Sequence, residues 1–480
     1  MIQRTAQADV SRGTSLSPHA LRASPGALRC AAALALAGVA LVPVHAQQAP
    51  STPMDFATAQ QRLLDTSDAI EGMAANVRSK EAQQGATRTL YRPTVDIEAR
   101  LLDYQKTFLL PLGTFASTAA SYGIADPFKY VTRQTLVRPV ATGSVPIYSG
   151  GEIAAARAAA KAQVTQAAAE REIASEQATL QLAQAYFGQQ LAVRALIVRR
   201  QALEGLDAHL ADARKLEQAR FAARAQVLQA QVARDDADRD YHKAISDLAT
   251  ANAILAGLLR LPGGVQPTTP LFVLSGSAGR LEDFKAVALS AHPQLVRLRA
   301  LGETADAGVR AQQARLRPSI YGFGQYDFNR DHSLLTNPDW AFGVGIKFQL
   351  FSGTGRRQAV EAARETAAQA DAGLREARVQ LEIGVTKAWN EAEATRERFA
   401  LLRSAEASAA ENLRLQSLAF REQQATSLDV VDAQLGVSRV AIQRAQAAYD
   451  YDVAIAQLLA ASGQARRLPD FISRAHEVLQ

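Results

Sequence analysis

Two stretches of the chain lack proline altogether: 115 residues between Pro146 and Pro262, and 130 between Pro338 and Pro469. Proline inside a helix removes a hydrogen bond and clashes with the preceding turn, so very long helices can form only where it is missing. Both stretches are rich in Ala, Gln, Glu, Arg and Leu, the strong helix formers, and poor in Gly. Helical sequence of this length fits a coiled coil better than a compact domain.

The two stretches are copies of each other. Tyr148-Ser149-Gly150 corresponds to Phe351-Ser352-Gly353, Ala185-Tyr186 to Ala388-Trp389, Val227 to Val430 and Ala230-Gln231 to Ala433-Gln434, always 203 positions apart. Upstream, Arg92-Pro93 matches Arg317-Pro318, and Ala59, Leu63 and Leu64 match Phe284, Ala288 and Leu289, now 225 apart. A tandem duplication with 22 additional residues between Pro93 and Tyr148 of the first copy accounts for both spacings. The expected boundaries are 47–262 for the first repeat, 263–281 for a crossover, 282–463 for the second repeat and 464–480 for a C-terminal tail.

Strands are expected at 92–148 and 317–351. Trp340, Phe342, Val344, Ile346, Phe348 and Leu350 alternate with Ala341, Gly343, Gly345, Lys347 and Gln349. Val95, Ile97, Ala99 and Leu101 alternate as cleanly with Thr94, Asp96, Glu98 and Arg100. Such alternation gives one apolar and one polar face. A third strand from Ser319 has blurred alternation, and a fourth, from Thr132 to Tyr148, is expected to be broken by Pro139 and Pro146. The glycines of the Gly322-Phe323-Gly324 and Gly343-Val344-Gly345 triplets fall inside strands, which excludes a phosphate loop.

These two segments hold 92 of the 480 residues but 15 of the 29 aromatic rings. Outward-facing aromatics on strands of about ten residues suit a transmembrane β-barrel. A soluble sandwich core would concentrate rings too, but these strands come as two hairpins separated by more than a hundred helical residues. Four strands cannot close a barrel, and unpaired edges are not tolerated in hydrocarbon, so several copies are expected to share one barrel.

The N-terminus reads as an address. Arg4, Arg12, Arg22 and Arg29 face only Asp9, an uncharged apolar run follows from Cys30 to Val44, and Val44-His45-Ala46 offers a cleavage site. Residues 1–46 are therefore expected to be a secretory signal peptide. Fifteen apolar residues are fewer than the roughly 20 that a spanning helix needs. The only cysteine, Cys30, precedes the apolar run, so no lipid anchor is expected. The leader carries +3 and leaves +3 of the chain's +6 on the remainder, which gives no electrostatic case for nucleic acid.

Helices are expected near 56–90, 150–220 and 224–260. The two shorter ones together match the long one, which is roughly 105 Å at about 1.5 Å per residue. Two short helices stacked end to end beside one long one would give that equality.

The sequence resembles the TolC-like outer-membrane efflux protein family. The resemblance rests on IYSGGEIAAARAAA at 147–160 with its partner LFSGTGRRQAVEAA at 350–363. Further support comes from ARAQVLQAQ at 223–231, TSLDVVDAQ at 426–434, AHPQL at 291–295 and the two Arg-Pro pairs that open the strands. It implies an α+β membrane protein: a homotrimer with a long α-helical coiled-coil barrel and a transmembrane β-barrel, four strands per protomer, girdled by a small mixed region. It also implies a location in outer-membrane lipid, a periplasmic adaptor partner and an inner-membrane transporter, either a proton-driven pump or an ABC exporter. The expected function is an exit duct for drugs or other small molecules. Type I protein secretion is the alternative within the family, and a pore-less periplasmic scaffold the alternative outside it.

On this map the 22 additional residues belong to an extracellular loop within 109–131, and the hairpin tips at Arg220, Phe221, Arg224, Gln423 and Thr426 would meet the adaptor. Asp429 and Asp432 would form stacked carboxylate rings at the periplasmic mouth, favouring cations. The competing reading makes Asp429 an acidic residue on a first helical turn. Arg220 and Gln423 stand where the family usually has the turn glycine, and Gln226 replaces Asp429 in the first repeat.

The charged run from Arg234 to Asp240 fits a solvated helix face better than a cation patch. The scattered histidines lack zinc-ligand spacing, no nucleophile motif is present, and neither cofactor nor enzymatic activity is expected.

Overall fold

The computed structural model describes residues 51–329, 338–351, 353, 355–475 and 477–479. The expected signal peptide lies outside them. Strand β1 (Thr52–Met54) leads into helices α1 (Phe56–Thr66) and α2 (Asp68–Thr87), then strand β2 (Thr94–Leu110), a short helix α3 (Ala116–Ser121) and strand β3 (Phe128–Tyr148). Two long helices follow, α4 (Glu152–Gln218) and α5 (Arg224–Leu258), before the short strands β4 (Val265–Pro267) and β5 (Leu271–Val273). The plan then recurs: α6 (Leu281–Ala291), α7 (Pro293–Ala314), β6 (Ser319–Asp327), β7 (Trp340–Lys347), α8 (Arg356–Arg421) and α9 (Ser427–Ala461). Helix α10 (Leu468–Ile472) and strand β8 (Glu477–Leu479) end it.

Each long helix carries shorter ones along its length. Helix α4, at 67 residues roughly 100 Å long, packs against α2 and α5, and α8 against α7 and α9. Helix α4 also packs on α7 and α9 of the second repeat, which makes it interior, whereas α5 and α8 lie at the edges. The edge helices keep apolar residues in the open: Leu228, Val232, Ile245 and Ile254 on α5, and Val379, Ile383, Leu401, Leu415 and Leu418 on α8.

The single helix expected near 56–90 is two helices. The break falls at Ser67, where backbone geometry turns extended, and the second copy breaks at His292, the same repeat position. The hydrogen bonds agree as well: Ser67 N donates to Leu63 O at 3.0 Å and His292 N to Ala288 O at 3.1 Å. Pro293 supplies the cause in the second copy, because the residue before proline is driven out of helical geometry.

The main core lies around the middle of α4, where Phe56, Leu63, Tyr186, Phe187, Leu255, Phe272 and Tyr451 pack together. Two small sheets flank it: β1 runs parallel to β4, and β5 antiparallel to β8. Both repeats tie the crossover down through the same position. Tyr186 Oη donates to Met54 O (2.8 Å) and accepts from Thr268 N (3.1 Å) and Thr269 N (2.9 Å). Its counterpart Trp389 donates Nε1–H to Gly279 O at 2.9 Å.

Strands β2, β3, β6 and β7 form one antiparallel sheet in that order. Strand β3 is not broken by Pro139 or Pro146. Pro139 O accepts from Phe328 N at 3.1 Å, just past the end of β6, so its missing N–H points where no ladder partner is needed. Pro146 lies beyond Ser144, the last residue paired with β2, and a register shift follows it.

Strands β2 and β3 also run much further than β6 and β7, over 17 and 21 residues against 9 and 8. The additional residues of the first repeat are thus not a loop alone. They lengthen both strands, from Asp103 to Leu110 and from Phe128 to Thr135, before α3 closes the end.

Candidate channel wall and helical-hairpin tips

Residues opposite one another in an antiparallel pair share a face. The registers Val95↔Gly143, Ile97↔Ala141, Gly324↔Gly143 and Phe342↔Gly324 therefore put Val95, Ile97, Ala99, Leu101, Val137, Trp340, Phe342, Val344 and Ile346 on one face. Most are more than half exposed, Ile97, Leu101 and Ile346 each at 72%. The opposite face is mainly polar, with Glu98, Arg100, Arg138, Thr142 and Gln325 lining a shallow pocket, and carries Tyr321 and Phe323 on β6. On that side Arg138 Nε donates to the buried Asp327 carboxylate at 2.6 Å, joining β3 to β6. An apolar outside and a polar inside are what a barrel wall between lipid and water requires.

Glycines inside the strands make room for rings. A Cβ on Gly324 would lie 2.7 Å from the Phe342 ring, and one on Gly345 would lie 2.6 Å from the Tyr321 ring. Phe348 and Leu350 correct the expected strand. Strand β7 ends at Lys347, and Arg356 Nη2 draws Gln349 O aside at 2.6 Å, so both residues are exposed in the segment before α8.

At the tips, α4 and α8 end in the same backbone motif. Arg220 and Gln423 adopt left-handed φ values of 60° and 62° without being glycine. Phe221 N donates to Leu216 O and Gln424 N to Ala419 O, both at 2.8 Å, while Arg220 N and Gln423 N reach Glu217 O and Phe420 O. These are complete Schellman caps, so the turn survives the loss of the family glycine.

The restart of the helix differs between tips. Thr426 caps α9 in a capping box: Asp429 Oδ2 accepts from Thr426 N and from Thr426 Oγ1, both at 2.7 Å, and Asp429 N donates to Thr426 Oγ1. These bonds, the side-chain one foremost, hold the Asp429 carboxyl below the usual carboxylate range. Helix α5 begins after Ala223, whose side chain cannot cap.

Asp429 and Asp432 are exposed on one stripe of α9 with Leu428 and Leu435, while Val430, Val431 and Ala433 between them are buried. The first-turn reading of Asp429 is thus realised in the geometry, and its exposure leaves the carboxylate open to solvent as well. Phe221 is 64% exposed, and Arg224 Nη1 lies 3.8 Å from Glu217 Oε1.

One joint near the second tip was not anticipated from sequence. The buried His209 of α4 brings Nε2 within 2.8 Å of Ser427 Oγ at the start of α9, and its ring packs at 4.7 Å on Phe420 of α8. Burial lowers the His209 pKa, opposed by nearby Asp212, which itself pairs with Arg421 at 3.3 Å. A lone histidine within a long helix carries no local signal of such a joint.

The charged run on α5 is tied to α4 rather than open to a cation. Arg234 pairs with Asp207 at 2.8 Å and Asp240 with Arg199 at 3.1 Å. Among the described residues, no cluster of His, Cys, Asp and Glu could hold a metal, and no helix is long and apolar enough to cross a membrane.

Comparison with known proteins agrees with this construction. Residues 286–464, essentially the second repeat, match the family model for outer membrane efflux proteins. A relative, the outer membrane efflux protein BepC of Brucella suis biovar 1, is 26% identical over 247 residues. That stretch spans 50% of this chain and about half, 53%, of the relative.

Among solved structures, the outer membrane protein VceC of Vibrio cholerae superposes with a TM-score of 0.70 at 16% identity, covering 85% of this chain and 96% of that one. The outer-membrane channel OprN gives 0.71 at 15% identity, covering 86% and 90%. The outer membrane channel MtrE of Neisseria gonorrhoeae, solved in an open state, gives 0.65 at 18% identity, covering 85% and 89%. Residues 286–464 thus resemble the outer membrane efflux proteins, and most of the described fold is shared with solved outer-membrane channels.

Proposed function

We propose that three copies of this chain form one outer-membrane channel, the exit duct of a tripartite export system. A periplasmic adaptor and an inner-membrane transporter would deliver drugs or other small molecules to it. The observation that carries this reading is the four-stranded sheet, apolar on one face and polar on the other, with β2 and β7 each leaving an open edge. Open edges in hydrocarbon must be paired, and three such sheets give a closed twelve-stranded barrel. The apolar residues left exposed on α5 and α8 support the same assembly, because the edge helices of neighbouring copies would cover them.

In that trimer Asp429 and Asp432 would ring the far end of the helical tunnel, and the tips at Arg220, Phe221, Arg224, Gln423 and Thr426 would meet the adaptor. Conductance across a planar bilayer tests the channel: discrete, cation-selective steps are expected, and their absence would sink it. In Asp429→Asn/Asp432→Asn, cation selectivity is expected to fall, and unchanged selectivity would remove the carboxylate rings alone. Small-molecule cargo is put first because the relatives are named for efflux. Raised drug susceptibility in a deletion strain supports it, whereas loss of a secreted polypeptide would point to type I secretion instead.

A further inference from the structure

The polarity of the β2–β3 ribbon reverses along its length. Over the barrel section the outer face carries Val95, Ile97, Ala99 and Leu101, and the inner face carries Glu98, Arg100 and Arg138. Past Leu101 the outer face becomes mainly polar: Asp103, Gln105 and Thr107, opposite Thr135, Arg133 and Val131, with Arg133 Nη2 paired to Asp103 Oδ2 at 2.7 Å, and then Leu109 opposite Lys129. The inner face becomes apolar and aromatic over the same length: Leu102, Tyr104, Phe108 and Leu110 opposite Leu136, Gln134, Tyr130 and Phe128. Phe108 and Tyr130 lie 6.4 Å apart, and Tyr104 Oη donates to Gln134 Oε1 at 3.1 Å. Over this distal length Lys106 is the one charged residue on the inner face, and its ammonium lies 4.8 Å from the Phe108 ring centre.

A strand needs about 9 to 11 residues to cross a membrane. Thr94 to Leu101, with β6 and β7 beside it, supplies about that length, so the reversal marks where lipid ends. Eight further residues of each strand, Asp103–Leu110 and Phe128–Thr135, stand beyond it and pair only with each other among the described residues. Water accounts for their polar outer face. It does not account for an inner face more apolar than the channel lining below it.

That inner face is continuous with the channel lining, so it is directed at the pore axis, where the same faces of the other two copies stand. Resting on the trimeric channel proposed above, we infer that the three ribbons pack their inner faces together as an apolar constriction at the outer mouth. The occupant of this surface is a second and third copy of the chain. An apolar constriction of this kind closes a pore by excluding water and opens when the ribbons part.

Adjacent residues of one strand give the test, because Phe108 and Thr107 lie at the same height on opposite faces. In full-length protein carrying Cys30→Ser, Phe108→Cys and Thr107→Cys are each oxidised in membranes and run on a denaturing gel without reductant. A shift to the dimer band is expected for Phe108→Cys and none for Thr107→Cys. Native mass of the same samples reports the trimer separately. A trimer in which both variants cross-link alike, or neither does, overturns the constriction and leaves the channel standing. A protein that is not a trimer overturns the channel reading, and the constriction with it. Phe108→Ser/Tyr130→Ser, which leaves barrel and tips intact, is expected to raise single-channel conductance, and an unchanged value in a trimeric sample also counts against the constriction.

Discussion

At the α4–α5 turn and at the α8–α9 turn the chain reverses through the same Schellman cap, with Arg220 and Gln423 in the same left-handed conformation. Three residues later the two copies part. The second tip restarts its helix with a reciprocal Thr426–Asp429 box and a buried Ser427 against His209, while the first restarts at Ala223 with backbone bonds alone. A duplicated backbone plan therefore tolerates quite different side chains, provided its own hydrogen bonds close the turn. What the side chains add is a difference in local stability between otherwise equivalent ends.

The largest expected contrast lies at the repeat-equivalent anchors Tyr186 and Trp389. Tyr186→Phe leaves two amides and a carbonyl without their buried partner and is expected to cost about 3 kcal/mol, whereas Trp389→Phe loses one bond and about 1 kcal/mol. Unfolding midpoints in detergent measure both, and equal losses would show that the two anchors are equivalent after all. At the tips, Thr426→Ala is expected to cost about 1 kcal/mol and to speed amide exchange in the first turn of α9. The reciprocal change, Ala223→Thr with Gln226→Asp, should slow exchange in the first turn of α5 by about 0.5 kcal/mol. If α5 does not respond, the box is not what separates the tips.

His209 gives the second tip a pH response that the first lacks. Its folded pKa is depressed below the usual value near 6.5, so the folded state binds fewer protons than the unfolded one. The neutral imidazole's contribution is complete above about pH 6.5 and is lost as pH falls from there towards the lowered folded value. Protection of the amides at the start of α9, measured relative to their intrinsic exchange rates, should therefore fall on acidification from about pH 7 to 5.5, and His209→Gln should flatten that dependence. The smallest effects belong to the shared feature. Arg220→Gly and Gln423→Gly each relieve a left-handed conformation but loosen the unfolded chain, so each should shift stability by less than about 0.5 kcal/mol, and by the same amount.

Much of this architecture was legible in the residues. The proline-free stretches hold the two long helices α4 and α8, and strict alternation marks the apolar face of β7 from Trp340 to Ile346. Three things were not legible. Alternation continues past Lys347 into Phe348 and Leu350, although the strand has ended there and Arg356, seven residues further on, bonds Gln349 O. Prolines 139 and 146 looked like breaks because sequence does not show which edge of a strand lacks a neighbour. The additional residues of the first repeat read as loop because their outer face turns mainly polar past Leu101, which hides a strand from a search for one consistent apolar face.

The hydrogen bonds at Tyr186 also have a mechanical meaning. Tyr186 lies near the middle of the 67 residues of α4, so the helix is a beam held at its centre by the girdle. With arms of about 50 Å on either side, each degree of tilt about that fulcrum would move the tip near Gln218 by roughly 1 Å and the sheet end near Glu152 by as much in the opposite sense. Stiffness at the middle thus fixes how much any displacement of the tip is felt at the membrane.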